Sequence, residues 1–323
     1  MIKVGIIGGS GYTGGELIRL ILGHPALEID FVYSTSRPGT ALTDHHTELL
    51  GQTDLQFTNQ INTDIDVLFL CLGHGKSAAF LQEHSFSENT IIIDLSNDFR
   101  LKEDQSFNHR NFVYGLPEIN KSAIENTKSI ANPGCFATAI QLALLPLAQE
   151  RLLHHDIHVN ATTGSTGAGV GLSETSHFNW RNDNLSWYKP FTHQHLGEIS
   201  ETLAQVGAAA KVHFLPQRGP FTRGIFATLY TQFDGSVEQA SKLYDQFYVT
   251  APFTHRSKHP IHLKQVINTN NCILHLHKHN DYLLITSIID NLVKGAAGQA
   301  LQNLNIILGL EEHLGLHLKP SVF

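Results

Sequence analysis

The sequence predicts an α/β chain whose first part is a parallel sheet covered by helices and whose second part is α+β, on a mainly antiparallel sheet. Short β-branched runs alternate with helical patterns through the first part. Beyond residue 155 the apolar runs lengthen and helical patterns become fewer. The 323 residues suit two cores of ordinary size. The expected division is 1–136, 137–290 and a C-terminal helical segment, 291–323, that returns across the junction to the first part.

Residues 2–8 read as the opening strand. Gly14 then begins a helical pattern with Leu17, Ile18, Leu20, Ile21 and Leu22, stopped by Gly23 and Pro25. Further strands are expected at 28–34, 65–71 and 90–95, then a short one at Ile130 that ends in the Pro133-Gly134 turn. The following helix, 137–153, contains Pro146 and is expected to kink or break there. In the second part strands are expected at 157–163, 211–215, 224–233, 261–267 and 272–277. Residues 166–190 are rich in Gly, Ser, Asn and His and read as long loops, where functional groups often sit. Residues 291–310 read as helix.

Composition excludes several classes of function. A net charge of −7 without a basic run gives no footprint for nucleic acid. No apolar run is long enough to span a bilayer, and the chain begins directly in a strand with no signal-peptide pattern, so a cytoplasmic protein is expected. Three widely spaced cysteines, Cys71, Cys135 and Cys272, are expected to be free thiols. The 21 histidines include the pairs His45-His46 and His154-His155, set in polar surroundings without metal-ligand spacing. They read as mostly surface residues, and no metal is expected.

Gly8-Gly9-Ser10-Gly11-Tyr12-Thr13-Gly14 contains Gly-x-Gly-x-x-Gly from Gly9, between a predicted strand and a predicted helix. Absent side chains let backbone approach a diphosphate, and helix N-terminal amides favour its charge. Otherwise the glycines form only a tight structural turn. After the second strand the sequence reads Tyr33-Ser34-Thr35-Ser36-Arg37, with no carboxylate to take ribose hydroxyls. Ser36 and Arg37 suit a 2′-phosphate, so NADP(H) is the expected cofactor of a Rossmann-type domain; failing that, Arg37 is an exposed turn residue before Pro38.

Asn132-Pro133-Gly134-Cys135 places a cysteine where a turn opens a helix, and the positive end of the helix dipole favours a thiolate nucleophile. Cys71 lies in an apolar run and Cys272 opens a strand-like run, so both read as packing residues. A nucleophilic cysteine needs an acid or base nearby. Thr192-His193-Gln194-His195-Leu196-Gly197-Glu198 offers His193 and His195, with Glu198 in the first turn of a helical stretch to orient one of them. By themselves they also read as two solvent-facing histidines.

At these residues the chain resembles the N-acetyl-γ-glutamyl-phosphate reductases, relatives of aspartate-semialdehyde dehydrogenase, over nearly its whole length. The resemblance rests on Gly8 to Gly14, Asp94-Leu95-Ser96-Asn97-Asp98-Phe99-Arg100, Tyr114-Gly115-Leu116-Pro117-Glu118, Asn132-Pro133-Gly134-Cys135 and the closing run from Asp290 to Ala300. It implies that Cys135 is the nucleophile of an acyl-phosphate reduction, that His193 or His195 is its acid–base group, and that a cytoplasmic homodimer or homotetramer uses NADPH on a small-molecule acyl phosphate. Asn291 is placed with the cofactor residues, and Ser96 and Arg100 with the substrate. Arg100, Arg218 and Arg223 are the cationic candidates for the leaving phosphate, with Arg100 preferred.

The family's histidine motif reads His-Arg-His-x-Pro-Glu, whereas here Gln194 and Gly197 replace the arginine and the proline. That departure bears on the substrate's anionic groups. It leaves open an N-succinyl substrate, whose added carboxylate needs a cation such as Lys189 or Arg181. Two rival readings are aspartate-semialdehyde dehydrogenase, disfavoured because the His-x-His-x-x-Glu segment belongs to the other family, and a non-catalytic NADP-binding sensor, disfavoured because it needs no cysteine at a Pro-Gly turn with a histidine partner.

Overall fold

Strands rich in Ile, Val, Leu and Phe and buried on both faces pair in parallel, as in sheets enclosed by helices. The computed structural model describes residues 1–322. They fall into two compact units, Met1–Pro133 with Ala296–His317, and Gly134–Gly295 with the tail from Leu318.

The first unit holds β1 (Ile2–Ile7), α1 (Tyr12–Leu22), β2 (Leu27–Tyr33), β3 (Phe57–Thr58), β4 (Val67–Leu70), α2 (Ser77–Glu83) and β5 (Ile91–Asp94). A two-stranded hairpin, β6 (Ser106–Phe107) and β7 (Arg110–Asn111), precedes β8 (Val113–Tyr114), α3 (Pro117–Glu125) and β9 (Ser129–Ala131). The main sheet runs β3-β2-β1-β4-β5-β9-β8, with every pairing parallel. Chain direction across the sheet reverses on either side of β1. The loop after β1 therefore opens at the switch point where doubly wound sheets bind ligands.

The second unit is organised on α4 (Cys135–Gln149), buried from Phe136 to Ala148. Then come β10 (Ile157–Thr163), α5 (Phe178–Arg181), β11 (Ser186–Trp187), α6 (His195–Gln205), β12 (Val212–Arg218), β13 (Ile225–Gln232), α7 (Val237–Phe247), β14 (Thr254–Ser257), β15 (Cys272–His279) and β16 (Tyr282–Ile289). Their sheet runs β11-β12-β10-β13-β16-β15-β14. The pairs β10–β12 and β14–β15 are parallel and the others antiparallel. The inward residues of β13 and β16 pack under α4.

Three expectations need correction. The helix after the Pro133-Gly134 turn begins at Cys135, ends at Gln149 and runs through Pro146 without a break. Proline there removes the N–H that would bond the Leu142 carbonyl; the Tyr248 hydroxyl donates to that carbonyl instead, and Tyr244 to the next one, Ala143. Residues 261–267 form no strand but a short 3₁₀ turn, Leu263–Gln265. Its start is fixed by the Gln265 side chain accepting from the His262 N–H at 2.8 Å, and Leu263 and Ile267 both pack against Gly224. The last helix begins later than Asn291. Asp290 holds the N–H groups of Leu292 and Val293, a π-type turn covers Val293–Ala297, and α8 (Gly298–Ile307) follows, packing on α1 and α3 in the first unit.

Candidate active site

In the first unit, β1 ends in Gly8, whose φ of +81° suits glycine. A Cβ at Gly8 would lie 2.5 Å from the Cys71 carbonyl oxygen, one at Gly9 2.1 Å from Val32, and one at Gly14 2.7 Å from the Gly8 carbonyl oxygen. Helix α1 starts after Gly11 with no side-chain cap and no acidic residue in its first turn, so its amides are not neutralised from within the helix. Tyr12 is exposed and Thr13 half-buried beside them. The Ser34 hydroxyl links Ser10, at 3.4 Å, to Ser36, at 3.3 Å. Ser36 and Arg37 are exposed after β2.

Two histidines that read as surface residues in fact buttress this loop. His46 is buried and donates to the Gly9 carbonyl at 2.7 Å, and His45 donates to the Ser10 carbonyl at 2.8 Å. Burial lowers the His46 pKa, against the pull of its bond to Gly9, so a neutral ring fits the site. The polar sequence around them conceals this, because the short 3₁₀ turns that carry them leave no periodic signal.

Ser96 and Arg100 sit within buried networks of the same unit. The Ser96 hydroxyl donates to Asp94 at 2.7 Å and accepts from the Asp98 N–H at 3.1 Å. Asp94 also accepts from Ser77 at 2.6 Å. Burial pushes its carboxyl up to about 6, although those hydrogen bonds and Arg100 oppose the shift. Desolvation and the Asp94 charge push the Cys71 thiol up as well, which suits a packing residue. Arg100 is 5% exposed; Nε donates to the Asn132 carbonyl at 2.8 Å and Nη2 to the Leu95 carbonyl at 3.0 Å. Asn132, the first residue of the turn before the cysteine, is also held by Asn303, whose Nδ2 donates to Asn132 Oδ1 at 3.2 Å.

In the second unit Cys135 is the first residue of α4, with Gly134 as N-cap and no acidic side chain in the first turn. The buried helix directs its positive end at the thiol and favours a thiolate. Two glycines allow the close packing around it. A Cβ at Gly134 would lie 2.3 Å from His195 Nε2, and one at Gly295 2.7 Å from the Cys135 Cβ. The Gly134 N–H donates to Glu198 Oε2 at 2.9 Å, and the other carboxylate oxygen lies 3.9 Å from His195 Nε2. His193 Nδ1 accepts from the His195 N–H at 3.2 Å, with the two rings edge to face, centroids 4.5 Å apart. Both histidines are 5% exposed, which corrects the solvent-facing reading. Their cover is Phe136 and Phe214, which meet the His193 ring at 5.4 and 5.5 Å.

Asn291, also in the second unit, is buried; its carbonyl accepts from the Gly224 N–H at 2.7 Å and its amide donates to Thr166 at 3.1 Å. Arg223 makes a two-point pair with the fully buried Asp290, at 3.1 and 3.2 Å. Tyr188 is a neighbour of the site that the sequence does not mark. Its ring lies 5.8 Å from that of His193 and under the Arg218 guanidinium, 4.7 Å away. Burial, and after it the nearby Cys135 thiolate, push the Tyr188 hydroxyl pKa up. Its position inside a Gly/Ser/Asn-rich loop gives no pattern to read.

Residues 3–127 match the semialdehyde dehydrogenase NAD binding domain and residues 135–291 the semialdehyde dehydrogenase dimerisation domain. The chain is 60% identical to the N-acetyl-γ-glutamyl-phosphate reductase of Flavobacterium johnsoniae and 53% identical to that of Parabacteroides distasonis, with full coverage of both chains in each case. Among solved structures it resembles aspartate semialdehyde dehydrogenase II of Vibrio cholerae in complex with ASA, with a TM-score of 0.75 and 16% identity over 96% of this chain and 98% of that one. It also resembles the Candida albicans aspartate semialdehyde dehydrogenase with NADP, with a TM-score of 0.70 and 16% identity over 95% and 98%. At such identity these two likenesses speak for the fold alone. The chain belongs to the semialdehyde dehydrogenase family, within its group of N-acetyl-γ-glutamyl-phosphate reductases.

Proposed function

We propose that the chain reduces N-acetyl-γ-glutamyl phosphate to N-acetylglutamate semialdehyde in arginine biosynthesis, with NADPH, through a thioester on Cys135. The observation that carries this reading is Cys135 at the N-terminus of a buried helix, in a turn shared by His195 and Glu198. Relatives of 52–60% identity bear the name of this reductase, which favours it over aspartate-semialdehyde dehydrogenase.

The glycine loop fits NADP(H), because a Cβ at Gly8, Gly9 or Gly14 would fill the cradle that the backbone leaves. In this reading the backbone of Gly8 to Gly14 holds the diphosphate, and Ser36 and Arg37 take the 2′-phosphate. When bound, the nicotinamide supplies the hydride. Asn291, grouped with the cofactor residues by sequence, acts by tying the loops at Thr166 and Gly224 together. Ser96 and Arg100 order the Asp94 turn and Asn132.

The Cys135 thiolate adds to the γ-carbonyl carbon, and the C–O bond to phosphate breaks as the thioester forms. After reduction the carbon carries an alkoxide and the Cys135 sulfur. Collapse breaks the C–S bond and releases the aldehyde and the thiolate. His193 accepts a hydrogen bond at Nδ1, so its neutral ring carries the proton on Nε2, available to the developing oxyanion. His195, held between Gly134 and Glu198, keeps the turn in place.

Residues 1–136 are proposed as the NADP-binding domain, 137–290 as the catalytic and oligomerisation domain and 291–323 as the returning segment. A cytoplasmic homodimer or homotetramer completes the proposal. Among the described residues, no helix is long and apolar enough to cross a membrane. The test is phosphate-dependent reduction of NADP with N-acetylglutamate semialdehyde, which is expected to exceed the rate with aspartate semialdehyde by at least about a hundredfold, the scale set by a site built to bind substrate polar groups. Equal rates would contradict the assignment.

A further inference from the structure

The second unit carries two guanidinium groups that the thioester chemistry does not use. Arg181, the last residue of α5, is 8% exposed. Arg218 ends β12 opposite Ser186 of β11, so the β11 pairing brings it beside the same loop. Arg181 Nη2 donates to the Asn184 carbonyl at 3.2 Å. Arg181 Nε and Nη1 and Arg218 Nε are buried without hydrogen-bond partners. Among the described residues neither side chain has an acidic partner. Burial, and then the like charge of Arg218, lower the Arg181 pKa.

Arg181 is buried and Arg218 half-buried, and three buried guanidinium nitrogens without partners beside a second cation are costly unless an anion joins them. The corner leads to the nucleophile. The Arg218 guanidinium lies over the Tyr188 ring, and Tyr188 lies beside His193 and Cys135. Lys189 is not part of it, being exposed and bonded to Gln194 at 3.2 Å.

We propose that Arg181 and Arg218 form a carboxylate-binding site that anchors the non-reacting end of the substrate while Cys135 attacks the other. The inference rests on the reductase reading and adds the substrate's second anchor. A planar guanidinium fork matches a carboxylate in two-point geometry. The leaving phosphate departs from the carbon bonded to Cys135, whereas the Arg218 guanidinium is stacked on the Tyr188 ring, 4.7 Å from its centroid. The anion is therefore a carboxylate further along the substrate, either the α-carboxylate or one carried by the N-acyl group.

The test compares wild type with Arg218→Leu, Arg218→Lys and Arg181→Gln, each checked for an unchanged melting temperature. Calorimetric binding of N-acetylglutamate and N-succinylglutamate gives a readout independent of turnover. Arg218→Leu and Arg181→Gln are expected to weaken binding at least about tenfold, as for loss of a hydrogen bond to a charged group. Arg218→Lys keeps the charge without the fork and is expected to recover only part; it also serves if the leucine variant melts early. Equal loss for both acids identifies the α-carboxylate as the anchor, and loss confined to the succinyl compound identifies the acyl carboxylate. In the phosphate-dependent reaction KM for the semialdehyde is expected to rise while KM for phosphate stays constant. Unchanged acid binding in folded variants, or a rise in the phosphate KM alone, would overturn the site. A wild type that binds these acids through Arg218 but reduces no NADP with either semialdehyde would keep the site and overturn the reductase reading.

Discussion

The Glu198 carboxylate accepts a hydrogen bond from the Gly134 N–H at 2.9 Å and lies 3.9 Å from His195 Nε2, so one buried acid fixes both the turn before Cys135 and the neighbouring imidazole. Glu198→Gln keeps an acceptor for Gly134 but loses the charge. It is expected to fold normally and to lose roughly tenfold in kcat. Glu198→Ala leaves the buried amide without an acceptor and is expected to lose about 1–3 kcal/mol of stability as well. Denaturant unfolding and kcat measured side by side separate the two effects; a glutamine variant as unstable as the alanine one would show that Glu198 serves folding only.

His193 and His195 are assigned different tasks by one hydrogen bond, from the His195 N–H to His193 Nδ1. His193→Ala is expected to lower kcat about 10²–10⁴-fold, the usual range for general acid–base assistance. His195→Ala is expected to lose clearly less. Equal, small losses at both positions would place the acid–base group elsewhere.

Cofactor preference is tested at Arg37, exposed after β2 with no carboxylate beside it. Arg37→Glu should lower or reverse the ratio of kcat/KM for NADP over NAD, because a carboxylate repels the 2′-phosphate and can accept ribose hydroxyls. A ratio that stays at the wild-type value would make Arg37 a surface residue.

Asp94 gives a pH dependence of known sign. Its native value of about 6 lies above the ordinary carboxylate value, so between about pH 4 and 6 the folded state binds more protons than the unfolded. The stability it contributes is present in full at acidic pH, on the order of 3 kcal/mol, and is lost as pH rises through 6. From pH 5 to 7 the wild type should lose about 1 kcal/mol that Asp94→Asn does not. Parallel unfolding curves for the two proteins at both pH values would show that Asp94 titrates normally.

Much of the architecture is legible because it follows from periodicity and turn chemistry. Gly8 to Gly14 lie between a readable strand and a readable helix, and Pro133-Gly134 marks the turn that presents Cys135. The strand β16 escapes because residues 283–289 form a nearly unbroken apolar run, buried on most positions, without the alternation that distinguishes a strand from a buried helix. The run 261–267 misleads for the opposite reason: Leu263 and Ile267 have the spacing of one face, but the Gln265 side chain takes the His262 N–H and closes a turn. Candidate site residues are visible as residue types. Their partners, such as Glu198 for Gly134 and Arg218 for Tyr188, depend on tertiary placement that no local spacing encodes.

A covalent acyl group on Cys135 is the intermediate on which the proposed reaction depends. Incubating the enzyme with N-acetylglutamate semialdehyde and NADP in the absence of phosphate, quenching in acid and mapping peptides by mass spectrometry tests it directly. The expected result is the mass of the acyl group on the peptide containing Cys135, absent from those of Cys71 and Cys272, and absent altogether in Cys135→Ser, which still binds NADPH but does not turn over. Full turnover by Cys135→Ser, or an acyl group on another cysteine, would contradict the thioester mechanism.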